Sequence, residues 1–328
     1  MKNLLNLTLA LALILTLDSC KKEEVSNTKL LIQNSLSSPV RYRDSVFASV
    51  DTITFFNTFY RRVQNFNGMV DLKMDAYLPA GDTVSRRAAI MYIHGGGFGA
   101  GSRKDADIKS VCLDYAKRGY VTIAISYRLG VNFVYGQTTA QSEQKYYDAV
   151  YRAAQDARAA LRFIKMHGRI AKIDTNKIFI AGGSAGAGTA INTAYLDQAE
   201  ITGTSFSQWG PLDGTGIYDY PQYGLRVKGV INLAGAIINK SFINTGDEPM
   251  ISFYGTEDIY YKDDLLDYRN GYAPIAFDNG KKIKLYMDGL GIRSDTTLYY
   301  GKDHSGYDSN IIKNFVNVSS NWMHNLLQ

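Results

Sequence analysis

The fold of this 328-residue chain is indicated most directly by the segment Ala181-Gly182-Gly183-Ser184-Ala185-Gly186. It contains the pattern Gly-x-Ser-x-Gly, and we predict a buried strand over Lys177–Ala181 before it and a helix from Ala185 to about Leu196 after it. A serine on such a sharp strand-to-helix turn takes a strained backbone position, and small neighbours relieve the crowding. The turn also places the first N–H groups of the helix beside the hydroxyl. The segment therefore indicates a nucleophilic serine at position 184.

Strands and helices are predicted to alternate on both sides of this segment. The other buried strands are Ala88–Ile93, Tyr120–Ser126, Lys228–Leu233, Met250–Tyr254 and Thr296–Tyr300. The other helices, with apolar residues at helical spacing, are Asp105–Arg118, Glu143–His167, Lys281–Leu290 and Asn310–Leu327. Such alternation indicates an α/β class fold, with a mostly parallel sheet and helices on both faces. Val46–Tyr60 and Met69–Leu78 are rich in strand-forming residues and predict two or three antiparallel edge strands.

Two stretches interrupt this alternation. Thr202–Tyr223 contains Trp209, two prolines and four glycines, and Tyr260–Asn279 is polar and rich in tyrosine. We interpret both as excursions from the sheet. Loops of this length are often functional.

The composition limits the classes of protein to consider. With 45% hydrophobic and 20% charged residues, the chain can bury one large core. The net charge of +5 comes from scattered basic residues rather than from a stripe, which argues against a nucleic-acid partner. The glycine-rich segments lack the Gly-Lys of a P-loop and do not match the dinucleotide fingerprint Gly-x-Gly-x-x-Gly.

The N-terminus has the features of a targeting segment. Lys2 precedes an apolar run, Leu4–Leu17, that is too short to span a bilayer stably, and Cys20 follows it in a pattern that resembles a bacterial lipobox. We therefore expect a signal peptide over residues 1–19, a lipidated tether over 20–37 and a single domain over 38–328. A lipid anchor on Cys20 would hold the protein in the cell envelope, at the outer membrane. Cys112 is expected in the core, without a disulfide partner.

A second glycine-rich segment, His94-Gly95-Gly96-Gly97-Phe98, follows the strand Ala88–Ile93. Consecutive glycines allow several backbone N–H groups to point into one small space. Such donors suit a site where negative charge develops on oxygen.

A general base for Ser184 would be a histidine, and the chain has four. His94 belongs to the glycine segment, His167 ends a helix and His324 lies in the C-terminal helix. His304 follows the last strand, at the edge of the sheet where sites form in open α/β folds. We therefore predict His304 as the base.

The acidic partner should lie between serine and histidine in the sequence. Asp258 follows the strand Met250–Tyr254 and fits this order. Glu257, Asp263 and Asp303 remain as alternatives.

Together these motifs resemble the carboxylesterase and hormone-sensitive-lipase-like branch of the α/β hydrolases. The matching segments, in the order of that family, are His94–Phe98, Ser126–Leu129, Gln155–Ala160, Gly182–Gly186, Gly255–Asp258, and Gly301 with His304. The resemblance implies a Ser184–Asp258–His304 triad and an oxyanion hole formed by the N–H groups of Gly96, Gly97 and Ala185. Tyr254 stands where many relatives have histidine, and Tyr260–Asn279 resembles an insertion after the acid.

What the resemblance implies is a serine carboxylesterase of the α/β-hydrolase fold that works through an acyl-enzyme and needs no metal or cofactor. Because we expect the chain to be exported, esters in the environment, such as acetylated or feruloylated glycans, are the expected substrates. The alternatives are a serine peptidase or amidase with the same triad, and a lipoprotein that binds glycans without catalysis.

Overall fold

An eight-stranded sheet is the centre of the unit formed by Arg41–Gln328. The structure is a computed structural model, and it describes residues 39–55, 58–65, 68–131, 138–202, 204–262, 265–266 and 275–328. The predicted signal peptide and tether, with Cys20, lie outside these residues.

Most of the described strands are short, and β7, with 11 residues, is the longest of them. In chain order they are β1 (Val50–Thr54), β2 (Arg61–Asn65), β3 (Gly68–Leu72), β4 (Met74–Pro79), β5 (Arg87–Ile93), β6 (Val121–Ile125), β7 (Ile173–Gly183), β8 (Gly229–Leu233), β9 (Met250–Gly255), β10 (Leu265–Leu266), β11 (Ile275–Ala276) and β12 (Ser294–Tyr299). The central sheet has the order β1-β4-β6-β5-β7-β8-β9-β12. Strands β1 and β4 are antiparallel to their neighbours, and all other pairs in the sheet are parallel. The predicted fold class is thereby confirmed.

The described residues contain seven α-helices. They are α1 (Ala106–Lys117), α2 (Thr139–His167), α3 (Ala185–Tyr195), α4 (Gln198–Ile201), α5 (Ile259–Lys262), α6 (Gly280–Gly289) and α7 (Ser309–Leu327). Helix α2 begins four residues before the predicted start at Glu143, because Thr138 and Gln141 form a capping box that supports the first turn. None of these described helices is both long and apolar enough to cross a membrane.

The sheet separates two hydrophobic layers. Met91 and Ile93 of β5 pack with residues of α2, α3 and α6, whereas the alternate residues Ile90 and Tyr92 pack with α1 and α7. This alternation follows from the two-residue period of a strand. Cys112 of α1 is fully buried in the second layer, in agreement with its predicted core position.

The first excursion, after α3 and α4, is attached to α2 by polar contacts. Gln155 Nε2 donates to the carbonyl oxygens of Trp209 and Pro211, at 3.0 and 2.8 Å. Arg158 Nε donates to Asp213 Oδ1 at 2.6 Å. These side chains belong to the Gln155–Ala160 motif. The structure thus assigns part of that motif to holding the excursion against α2.

A second polar cluster joins α2 to the N-terminal strands. Asp156 is fully buried and accepts hydrogen bonds from the backbone N–H and the guanidinium of Arg128, at 2.8 Å each. Arg61 of β2 also pairs with Asp156, and its Nε lies 2.9 Å from Asp219 Oδ1 in the excursion. Buried charges require such partners, because an unpaired charge in the interior is costly.

Candidate active site

Ser184 lies in the sharp turn between β7 and α3. Its backbone angles are φ 53° and ψ −123°, and this left-handed φ is uncommon for a residue with a side chain. A Cβ on Gly182 would overlap the backbone of Gly186, and a Cβ on Gly186 would overlap the carbonyl oxygen of Ile93. Close backbone approach therefore requires glycine at both positions.

The glycine segment after β5 packs directly against this turn. A Cβ on Gly95 would lie 3.0 Å from the carbonyl oxygen of Gly183 and 3.4 Å from Ser184 Cβ. His94 Nδ1 lies 2.8 Å from the carbonyl oxygen of Gly95, and its ring stacks on Tyr127 with 4.5 Å between centroids. Burial lowers the pKa of the His94 imidazole. His94 thus contributes to the structure of its own loop.

Three side chains predicted from the sequence form a hydrogen-bonded chain. Ser184 Oγ lies 2.8 Å from His304 Nε2. His304 Nδ1 lies 3.1 and 3.0 Å from Asp258 Oδ1 and Oδ2. The Asp258 side chain is fully buried, whereas that of His304 is 31% exposed. This arrangement suits an imidazole with its proton on Nδ1, which leaves Nε2 free to accept the serine proton.

The topology of the sheet explains why these residues meet. Ser184 follows β7, Asp258 follows β9 and His304 follows β12. These strands are parallel within one sheet, so their carboxyl ends share an edge. Residues that are up to 120 positions apart in the chain are thereby brought into contact.

The Asp258 carboxylate has two further donors. The backbone N–H of Tyr260 donates to Oδ1 at 2.9 Å, and the hydroxyl of Tyr307 donates to Oδ2 at 2.7 Å. Neither tyrosine was identified from the sequence. The only signal for Tyr307 is its place three residues after His304, which does not distinguish it from the other 23 tyrosines of the chain.

The alternative acids have other partners. Glu257 lies 3.2 Å from Lys262 Nζ, and its side chain is 57% exposed. Asp303 Oδ1 accepts hydrogen bonds from the Ser305 backbone N–H and hydroxyl, at 3.0 and 2.8 Å. The Ser305 hydroxyl is the main cause that lowers the pKa of Asp303. Asp263 lies outside the described residues.

The remaining histidines lie on helices. His167 Nδ1 contacts the carbonyl oxygen of Phe163 at 3.0 Å, one turn earlier in α2. His324 lies in the last turns of α7, 3.4 Å from the side-chain amide of Gln328.

The three predicted oxyanion donors lie on the two segments that meet at Ser184. Ala185 is the first residue of α3, so its N–H has no carbonyl partner within the helix. Gly96 and Gly97 have φ values of 106° and 59°, and a Cβ on Gly96 would overlap the carbonyl of Ala100. Their placement requires the conformational freedom of glycine.

A cavity of about 850 Å³ opens at Ser184 and His304. It is bounded by Gly95 and Gly96 and extends between helices α1 and α7. The polar side chains that these two helices contribute are Asp107, Ser110, Asp114, Lys117, Ser309 and Lys313.

Tyr254, at the position where many relatives of the resembled branch have histidine, is buried under this edge. Its hydroxyl donates to the carbonyl oxygen of Gly235 and accepts from Asn232 Nδ2, both at 2.6 Å. Burial raises the pKa of Tyr254 above its ordinary value. The hydroxyl therefore acts in the structure of the loop after β8.

Within the described ranges, no group of three or more His, Cys, Asp or Glu side chains is arranged to hold a metal ion.

Solved structures share this architecture. Thermogutta terrifontis esterase 2 in its native form aligns with a TM-score of 0.60 and 21% identity, over 88% of this chain and 95% of that chain. The same esterase phosphorylated by paraoxon aligns with a TM-score of 0.59 and 21% identity, over 88% and 97%. At this level of identity, the likeness concerns the α/β-hydrolase fold.

Two sequence comparisons add to the fold. Human arylacetamide deacetylase-like 2 is 30% identical over 142 residues, which cover 40% of this chain and 30% of that protein. The match thus spans less than a third of the relative's length. The family model BD-FAE matches residues 74–237, which is half of the chain and includes the glycine segment and Ser184. This esterase-like α/β hydrolase therefore belongs to the BD-FAE family.

Proposed function

We propose that the protein is a serine carboxylesterase that works through an acyl-enzyme intermediate. The observation that carries the proposal is the 2.8 Å contact between Ser184 Oγ and His304 Nε2, with Asp258 on the opposite ring nitrogen. A nucleophile, a base and a group that orients the base are the parts that nucleophilic catalysis needs. Because all three are present, we favour an enzyme over a binding lipoprotein.

The proposed reaction has two halves. His304 takes the proton of Ser184 as Oγ attacks the carbonyl carbon of the ester, and the N–H groups of Gly96, Gly97 and Ala185 stabilise the oxyanion. The C–O bond to the alcohol then breaks, and His304 gives its proton to the leaving oxygen. Water, activated by the same histidine, hydrolyses the acyl-serine and regenerates the hydroxyl.

The comparison with solved structures supports an ester as the substrate. The fold is shared with proteins named as esterases. The name of the human relative, arylacetamide deacetylase-like 2, refers to an amide, so an amidase remains the alternative. A p-nitrophenyl ester and a p-nitroanilide with the same acyl group would distinguish the two activities.

For the substrate itself, we propose esters of large, hydroxyl-rich alcohols, such as acetylated or feruloylated glycans. The cavity of about 850 Å³ exceeds what a short acyl group would fill. It continues from His304, which protonates the leaving alcohol, toward the polar residues of α1 and α7. A polar alcohol group would find hydrogen-bond partners there.

The test compares wild type with Ser184→Ala on p-nitrophenyl esters of increasing acyl length, acetylated xylan and feruloyl esters. We expect the variant to lose at least about 10³-fold in kcat and to lose labelling by a fluorophosphonate. Ser305→Ala, which changes a serine beside His304, is the matched control and should keep both. Labelling of wild type on another serine, or full activity of Ser184→Ala, would contradict the proposal.

We also propose that Cys20 carries lipid and anchors the protein in the cell envelope, at the outer membrane. The support is the sequence alone: the short apolar run Leu4–Leu17 and the position of the cysteine after it. Cys20→Ala should move the protein from the membrane fraction to the soluble fraction, whereas Cys112→Ala should leave it in the membrane fraction. A Cys20→Ala protein that stays with the membrane as fully as wild type would exclude the anchor.

A further inference from the structure

The hydroxyl of Tyr307 lies between the acid of the candidate triad and the end of strand β9. It donates to Asp258 Oδ2 at 2.7 Å and accepts from the backbone N–H of Gly255 at 2.9 Å. A tyrosine hydroxyl has only one proton. Because the Gly255 N–H occupies a lone pair of the oxygen, the proton is directed to Asp258.

This contact completes a symmetrical set around the carboxylate. Oδ1 accepts from the Tyr260 N–H at 2.9 Å, Oδ2 accepts from Tyr307, and His304 Nδ1 lies within 3.1 Å of both oxygens. The ring of Tyr307 stands at 90° to the imidazole with 6.5 Å between centroids. The ring of Tyr260 lies 4.7 Å from the imidazole. Rotation of the carboxylate would break a hydrogen bond at each oxygen.

The raised pKa of Tyr307 keeps its hydroxyl a hydrogen-bond donor to Asp258. Burial is the largest cause that raises the pKa of Tyr307 well above its ordinary value, and the negative charge of Asp258 acts in the same direction. The phenol therefore keeps its proton at neutral pH.

We propose that Tyr307 is a positioning residue of the hydrolytic reaction, which orients Asp258 and draws charge from it through a hydrogen bond. The inference rests on the proposed esterase function. The hydroxyl reduces the negative charge that faces His304. Asp258 still stabilises the imidazolium of His304 that forms during the reaction. Because the charge on the carboxylate is reduced, the imidazolium also gives up its proton readily to the leaving alcohol.

Other polar and charged groups near Tyr307 and Asp258 have partners of their own. Asp303 is hydrogen-bonded to Ser305, and Glu257 faces Lys262. Lys302 Nζ lies 3.4 Å from Asp308 Oδ2. The hydroxyl of Tyr254 is engaged with Asn232 and Gly235. Of the groups named here, Tyr307 is the one whose hydroxyl contacts the carboxylate.

The test is the pH profile of kcat/KM for wild type, Tyr307→Phe and Tyr299→Phe on one p-nitrophenyl ester. In Tyr307→Phe the carboxylate keeps its full charge, so the imidazolium holds its proton to higher pH. We expect the acid limb to move up by on the order of half a pH unit and kcat to fall about tenfold, the scale of one hydrogen bond to a charged group. KM should stay within about twofold, because the change acts on the transition state.

Tyr299→Phe is the matched control. Its ring lies 6.2 Å from that of Tyr307, and its hydroxyl contacts Asn314 Oδ1 at 3.1 Å. The control therefore loses the hydroxyl of a neighbouring tyrosine that makes no contact with Asp258. Both limbs of its pH profile of kcat/KM should coincide with those of wild type.

A second variant covers the case in which Tyr307→Phe does not fold. With 3-fluorotyrosine at position 307 the ring and hydroxyl remain, but the hydroxyl donates more strongly, so the acid limb should move to lower pH. An acid limb unmoved in the folded variants, whether or not kcat falls, would overturn the inference and leave the esterase proposal standing. If wild type hydrolyses no ester and takes no fluorophosphonate label, the proposed function itself fails.

Discussion

The turn at Ser184 is fixed by close packing of backbone atoms, whereas the loops of Asp258 and His304 are fixed mainly by hydrogen bonds. Around the serine, backbone atoms approach so closely that Gly182 and Gly186 leave no room for a Cβ. Around the acid, the side-chain and backbone donors of Tyr260, Tyr307 and His304 fix the carboxylate.

The two loops of the acid and histidine are also joined to each other. The N–H of Glu257 donates to the Lys302 carbonyl at 2.9 Å, and the Gly301 N–H donates to Thr256 Oγ1, also at 2.9 Å. Close packing also contributes at Gly255, because a Cβ there would overlap the Lys302 carbonyl. Substitutions beside Ser184 should therefore destroy the fold, whereas substitutions of the hydrogen-bonding groups around Asp258 should change only the chemistry.

The largest effect is expected at the steric region. In Gly186→Ala the new methyl group would meet the carbonyl oxygens of Ile93 and His94, and backbone atoms of a central strand have no room to move. We expect loss of soluble protein, or a free energy of unfolding lowered by at least about 4 kcal/mol, measured by urea unfolding. Gly289→Ala, with nothing near the added Cβ, is the control and should be neutral or slightly stabilising. A normally stable Gly186→Ala protein would contradict the steric account.

The next largest effect is expected at Asp258, where a substitution should lower kcat and leave the fold intact. Asp258→Asn replaces a carboxylate by an amide of the same shape, which stabilises the wrong tautomer of His304. We expect kcat to fall by up to about 10⁴-fold, with a circular dichroism spectrum like that of wild type. If Asp258→Asn proves nearly silent, the assignment of the acid is wrong.

A smaller effect is expected at Tyr254, which is buried, whereas Tyr307 is half-buried. Tyr254→Phe removes a hydroxyl that serves Asn232 and Gly235 but makes no contact with Asp258. We expect the free energy of unfolding to fall by about 1–3 kcal/mol, with the pH profile of kcat/KM unchanged. A shifted acid limb would show that Tyr254, too, acts on the reaction.

The smallest effect is expected at Asp303, next to His304 in sequence. Asp303→Asn should change kcat by less than about twofold, because the carboxylate contacts Ser305. The pKa of Asp303 is lowered, so its contribution to stability is present above the ordinary pKa and is lost as the pH falls through the lowered one. Melting temperatures of wild type and variant should therefore differ at neutral pH and converge in acid. A crippled Asp303→Asn enzyme would reverse the roles of Asp303 and Asp258.

Much of the architecture was predictable because it depends on local patterns. Apolar runs of five to seven residues identified the strands of the parallel part, and helical spacing identified α1, α2 and α7. The boundaries were less accurate where a side chain decides them, as at the capping box of Thr138. The hairpin β2–β3, which pairs outside the main sheet, was not distinguished from the other N-terminal strands.

The sequence, with the family resemblance that its motifs carry, predicted the fold class and the three residues that meet at the carboxyl edge of the sheet. Glycine spacing, strand order and the position of one histidine are local or topological features, and parallel strands bring their ends together. The surroundings of those residues became visible only in the folded chain. Tyr307 and Tyr260 donate hydrogen bonds to Asp258, Asn232 donates one to Tyr254, and the first excursion is attached to α2. Hydrogen bonds between distant loops depend on side-chain directions that no periodicity in the chain encodes, and they exist only once the sheet has placed both partners within 3 Å.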